Sequence, residues 1–300
     1  MRRYLYALVP LLVLVLAISL ACLLGYAIEY YFDPAWTLRK LIRKLSQLFL
    51  LLSIIPAMWY LRLGRNELGF AEKTLFFKQV WQGFLLGLIT LFPVFVMLYC
   101  LGIQVVDVTQ PWTWGWVGKK LVLELLLALL VSCFEEPVFR GILLAGLNRK
   151  MAVLPAVLIT AFYYAILHFL DSNTNIPKQK MDVWSGFQLF GDAIGHLADP
   201  SILAALSSLL LVGVFLGLLR TQVPVSLGLC IGCHSSWVWQ IKLNKTFFNA
   251  DFNSSYAFLV SPYDGVIGPL ITVWLAIPIT VYLLSKYMGA YYHSGCEKSP

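Results

Sequence analysis

From Leu11 to Ala21 the chain is apolar apart from one serine, and this is the core of the first of eight such stretches. They lie at about 4–28, 45–62, 81–102, 119–147, 151–170, 199–220, 223–244 and 265–288, most near the ~20 residues a membrane crossing needs. At ~1.5 Å rise per residue, a helix of that length spans the ~30 Å hydrocarbon core of a bilayer. Lipid offers a bare N–H or C=O no partner, so a chain that crosses it repeatedly must be helical or a closed barrel, and long apolar runs suit helices. The expected fold is all-α: a polytopic membrane helix bundle of about eight transmembrane helices. Composition agrees, since 60% of the 300 residues are hydrophobic against about 45–50% apolar in a soluble domain.

Met1-Arg2-Arg3 ahead of the first run resembles a signal peptide. The run is longer than the about 7–15 residues of such a segment, so the first span is expected to stay attached. The net charge of +7 could suit nucleic acid, but Lys and Arg cluster at the ends of apolar runs, as topology signals and headgroup anchors. No nucleic-acid partner is expected. Their near-even distribution slightly favours a cytoplasmic N-terminus, in a bacterial inner (plasma) membrane. Residues 1–118 are read as N-terminal membrane helices, with an interfacial amphipathic helix at about 66–80. Residues 119–290 form the membrane domain that carries the chemistry. The 171–198 segment is long enough for a re-entrant or surface helix. Five of the six cysteines lie inside apolar runs, where they act as small hydrophobes, and no disulfide framework is implied.

Phe134-Glu135-Glu136-Pro137-Val138-Phe139-Arg140-Gly141 puts three ionisable groups inside the fourth run. Each costs about 2.5–3.5 kcal/mol at mid-bilayer even on the mildest scale, so such groups pair, face water or do chemistry. Glu136 and Arg140, four apart, share a helix face and can pair. Glu135 lies about 100° round and seeks a different partner. Pro137 frees a carbonyl near Cys133, and Gly141 permits close approach of another helix. One glutamate then suits a general base and the other, held by Arg140, an orienting group. His168 and His234 lie in the fifth and seventh runs. Glu135 is about 21 Å before the 148–150 turn and His168 about 27 Å after it, compatible depths for antiparallel neighbours.

Two metal readings compete with metal-free chemistry. Glu135, His168 and His234 could supply three ligands to a divalent metal such as zinc, although there is no His-Glu-x-x-His and no second CxxC. Cys230-Ile231-Gly232-Cys233-His234 matches a c-type haem attachment motif, but it lies in an apolar run with no soluble domain around it. The favoured reading requires no cofactor.

Glu135 to Gly141 resembles the first motif, EExxxR followed by Gly, of the CAAX protease and bacteriocin-processing (CPBP, or Abi) family of intramembrane proteases. Tyr164-x-x-x-His168 resembles the second motif, FxxxH, with Tyr in place of Phe. His234, preceded by Gly228 and Leu229, is similar to the third-motif His, which is followed four residues on by Asn or Asp where this chain has Val238. The resemblance covers roughly residues 119–240. It implies an intramembrane endopeptidase, often called a metalloendopeptidase though also described as metal-free. Its partners would be the bilayer and a membrane-associated or lipid-modified protein or peptide substrate. Glu135 with His168 would activate water, and His234 would stabilise the oxyanion. Val238 removes one oxyanion donor, a role open to Ser235 or Trp237. The rival readings are a proton- or cation-coupled transporter and a catalytically inactive membrane scaffold.

Overall fold

A computed structural model describes residues 6–32 and 36–296. The main helices are α1 (Val9–Phe32), α2 (Leu38–Leu61), α3 (Lys73–Cys100), α4 (Trp114–Glu136), α5 (Val153–Phe169), α6 (Ser185–His196), α7 (Pro200–Gln222), α8 (Leu227–Phe247) and α9 (Pro269–Cys296). All but α6 fall on the eight expected runs, and the chain is a helical membrane bundle. The stretches Tyr6–Phe32, Leu38–Leu61, Arg65–Cys100, Pro200–Gln222 and Pro269–Lys286 are long and apolar enough to cross a membrane. The shorter α5 is also apolar. The two remaining long helices, α4 and α8, are the more polar ones and carry Glu135, Glu136 and His234.

Two boundaries differ from expectation. The interfacial helix expected at about 66–80 is not one element. Arg65–Leu68 forms a single turn closed by Gly69 at φ +94°, where a side chain would be strained. Residues from Lys73 onward are the first turns of α3, because Leu75, Phe76, Phe77 and Val80 lead into the apolar run without a helix breaker. Likewise α2 starts at Leu38, so its basic first turns are helical. Arg39 Nη1 donates to the Ser172 carbonyl at 2.7 Å, and Arg43 pairs with Asp171 at 3.2 Å.

Loops alternate between two ends of the bundle. At one end β1 (Gln104–Val106) pairs antiparallel with β2 (Phe248–Ala250), Gln104 opposite Ala250, and Tyr263 packs on Phe169. There α6, the helix allowed for in 171–198, buries Leu189 against Cys22, Leu38 and Ile42. At the other end Arg149 pairs with Glu67 at 3.6 Å, and Arg220 donates to the Glu67 carbonyl.

Small residues set the closest helix contacts. Gly83 and Gly87 of α3 face Gly228 and Gly232 of α8: a Cβ on Gly83 would strike the Leu229 carbonyl, and one on Gly232 the Val80 carbonyl. Gly213 and Gly217 of α7 meet Ala161 and Val157 of α5 in the same way. In lipid, where apolar burial does not drive helices together, such backbone approach is a main source of association.

Candidate active site

The fourth helical rod changes form at its functional residues. After Glu136 it continues as a π-helix, Pro137–Leu143, and returns to α-helix over Leu144–Asn148. Pro137 has no N–H to close the bond to Cys133, so the ladder loosens there. Single π segments of this kind recur at functional sites.

Glu136 and Arg140 have fully buried side chains and pair at 2.9 Å. The same oxygen, Glu136 Oε1, accepts from His234 Nδ1 at 2.7 Å. His234, 3% exposed, reaches it from α8. His168, in the last turn of α5, donates from Nδ1 to the Tyr164 carbonyl at 2.8 Å. With both Nδ1 positions engaged, Nε2 of each ring is left for the site, a lone pair on a neutral imidazole and an N–H on a charged one. Both Nε2 atoms lie 3.9 Å from Glu135 Oε2, an oxygen that is buried without a hydrogen-bond partner among the described residues. Two ring nitrogens therefore approach one carboxylate oxygen. They are too far apart for direct hydrogen bonds, at a spacing one water can bridge. Glu135 and His168 are each about one-third exposed, at 30% and 32%, so this side of the site is reachable, whereas the Glu136–Arg140–His234 side is sealed.

All five residues singled out from the sequence, Glu135, Glu136, Arg140, His168 and His234, are thus brought together, from α4, the π segment, α5 and α8. The zinc alternative would need the three groups to draw closer together. Tetrahedral zinc with ~2.0–2.1 Å bonds holds its ligands roughly 3.3 Å apart, and the carboxylate–imidazole separations here are 3.9 Å. Among the described residues no group of three His, Cys, Asp or Glu is arranged to hold a metal. The haem motif fails on burial. Cys230 and Cys233 are fully enclosed among Leu91, Val94, Leu98 and Leu216, and His234 Nδ1 is engaged by Glu136.

Two contributors were not singled out beforehand. Tyr164 appears in the second motif, but its ring lies at the centre of the cluster, 2% exposed. Its position one turn before His168 was the available signal. Ser132, one turn before Glu136, is fully buried with a hydroxyl that has no partner among the described residues; as an ordinary small polar residue in an apolar run it gave no sign.

Residues 117–240 match the family described as Type II CAAX prenyl endopeptidase Rce1-like. The match covers less than half of the chain, runs from α4 into α8 and includes all five residues. It shows, over nearly the same stretch, the family resemblance carried by the motifs. No curated protein and no solved structure matches the chain.

Proposed function

Starting from a family segment that holds the whole cluster, we propose that this chain is an intramembrane endopeptidase in which Glu135 activates water for attack on a peptide bond. The supporting observation is the convergence of Glu135 Oε2 with the two Nε2 atoms at 3.9 Å while both Nδ1 atoms are engaged elsewhere. A water seated among them gives a proton to Glu135, and its oxygen attacks the scissile carbonyl. As the C–N bond breaks, the proton passes to the leaving amine, so the carboxylate acts first as base and then as acid. His168 orients the water. His234 is held by Glu136 as a carboxylate holds a catalytic imidazole in other hydrolases. When protonated it donates from Nε2 to the developing oxyanion, an interaction worth about 2.7–4 kcal/mol. That donor offsets the absence of an amide at Val238.

The proposed substrate is a membrane-associated or lipid-modified protein or peptide. The family description reads prenyl endopeptidase, and Glu135 follows Cys133 and Phe134, both exposed on α4. The favoured mechanism uses no metal. The test is cleavage of a fluorogenic, C-terminally prenylated peptide by the purified chain in proteoliposomes. Wild type should cleave, and Glu135→Gln should lose about 10³-fold or more while remaining folded. A fully active Glu135→Gln protein overturns the proposal. Proton-driven cation flux without cleavage would favour the transporter reading.

A further inference from the structure

Tyr164 touches almost every part of the cluster. The Arg140 guanidinium carbon lies 4.4 Å from its ring centroid. The His168 ring is at 4.5 Å, and His234 approaches nearly perpendicular at 6.1 Å. Phe139 packs T-shaped against it at 5.2 Å. The Tyr164 carbonyl accepts from His168 Nδ1. Its hydroxyl, by contrast, has no hydrogen-bond partner among the described residues.

Arg140 needs such a neighbour. Its Nη1 bonds Glu136, but Nε and Nη2 are buried without hydrogen bonds. The π face of Tyr164 meets the rest of the cation, and a desolvated guanidinium is well stabilised by an aromatic face. Glu135, the next residue in sequence to Glu136, is the other carboxylate in the cluster. With the ring gone, Arg140 would have room to turn toward Glu135. That would engage the free carboxylate, weaken the hold on Glu136 and so release His234.

We infer that Tyr164 is a positioning residue for the hydrolysis: its ring confines Arg140 to Glu136, its carbonyl sets the His168 tautomer, and together they leave Glu135 free to bind water. The inference rests on the endopeptidase reading. The side-chain part of this role belongs to the Tyr164 ring, not to its hydroxyl. Tyr164→Phe should therefore keep kcat within about threefold of wild type, and Tyr164→Leu should lower kcat by about tenfold or more at nearly unchanged KM. Arg140→Lys cannot stack flat on a ring. Combined with Tyr164→Leu it should be no worse than the poorer single variant, since both act through one contact.

The proteoliposome cleavage assay decides, with folding checked by monodisperse elution in detergent. Losses that simply add, a Phe variant as impaired as the Leu variant, or a fully active Leu variant each overturn the inference. Glu135→Gln is assayed in parallel. Cleavage that survives it overturns the endopeptidase reading. An inactive Glu135→Gln beside a fully active Tyr164→Leu overturns only the role of Tyr164. Should the Leu variant not accumulate, Tyr164→Met enters the same cycle.

Discussion

Glu136→Gln removes the carboxylate that Arg140 and His234 share at 2.9 and 2.7 Å. The amide preserves shape but leaves the Arg140 charge, wholly buried, without a counter-charge. Taking one partner from a buried ion pair costs about 3–5 kcal/mol. At about 4 kcal/mol the unfolding equilibrium shifts roughly 10³-fold. The assay is unfolding of wild type and variant by SDS in mixed micelles, with the free energies compared. The companion variant Glu136→Leu/Arg140→Met removes both charges at similar volume. It should fall within about 1–2 kcal/mol of wild type, because a buried pair replaced by packed apolar groups is often neutral. Neither variant should cleave substrate, since His234 loses its orienting carboxylate in both. If Glu136→Gln is within about 1 kcal/mol of wild type, or the double variant is no more stable than the single, the ion pair is not what holds this cluster together.

Gly83→Val or Gly232→Val would drive a side chain into the backbone of the facing helix. Either should abolish folded protein in detergent, while Gly115→Ala, with open space around it, should leave folded yield nearly unchanged. Cleavage should survive chelation by EDTA and 1,10-phenanthroline, because the Glu135, His168 and His234 atoms are spaced more widely than zinc ligands; loss on chelation with recovery on adding zinc would refute this. Hydrogen bonds from Thr109 and Gln110 hold the Asp107 carboxyl below its usual range. The folded value lies below the unfolded value of about 3.9, so its stabilisation is complete above that pH and disappears as pH falls through the folded value. Pepsin should therefore cut the 101–113 loop increasingly as pH drops below about 4, and Asp107→Asn should flatten that dependence.

The eight long helices were legible because hydrocarbon demands long apolar runs, and few other sequence signals are so plain. Their ends were less so. Arg39, Lys40, Arg43 and Lys44 look like a loop by charge, yet they are helical turns, and Arg39 and Arg43 bind residues 171 and 172. Glu135, Glu136 and Arg140 were conspicuous because charge is rare in such a run, and the i,i+4 spacing identified the pair. The depth of His168 relative to Glu135 followed from helix rise. What spacing could not convey was which helices adjoin. The convergence on Glu135 Oε2 depends on α4, α5 and α8 meeting in space, and on two Nδ1 bonds to groups 4 and 98 residues away. The small residues at 83/87, 228/232 and 213/217 bring α3 to α8 and α5 to α7, and they carry no sign of that meeting.

Helix α8 shows why the packing and the chemistry depend on each other. His234, Ser235, Ser236, Gln240 and Asn244 are all buried on it, a polar load that lipid would not solvate. The facing helix α3 supplies what lipid cannot. Gln240 Nε2 donates to the Gly87 carbonyl at 3.0 Å, within reach because Gly87 has no side chain to hold the backbones apart. Trp237 Nε1 donates to Thr90 Oγ1 at 2.9 Å. The glycine pairs thus let a polar helix sit inside a membrane bundle, at the depth that brings His234 to Glu136. Residues 73–100 lie outside the stretch that matches the endopeptidase family, yet they form one wall against which the helix bearing His234 is held. The matched segment contains every proposed catalytic group, but the geometry of those groups depends on α3 as well.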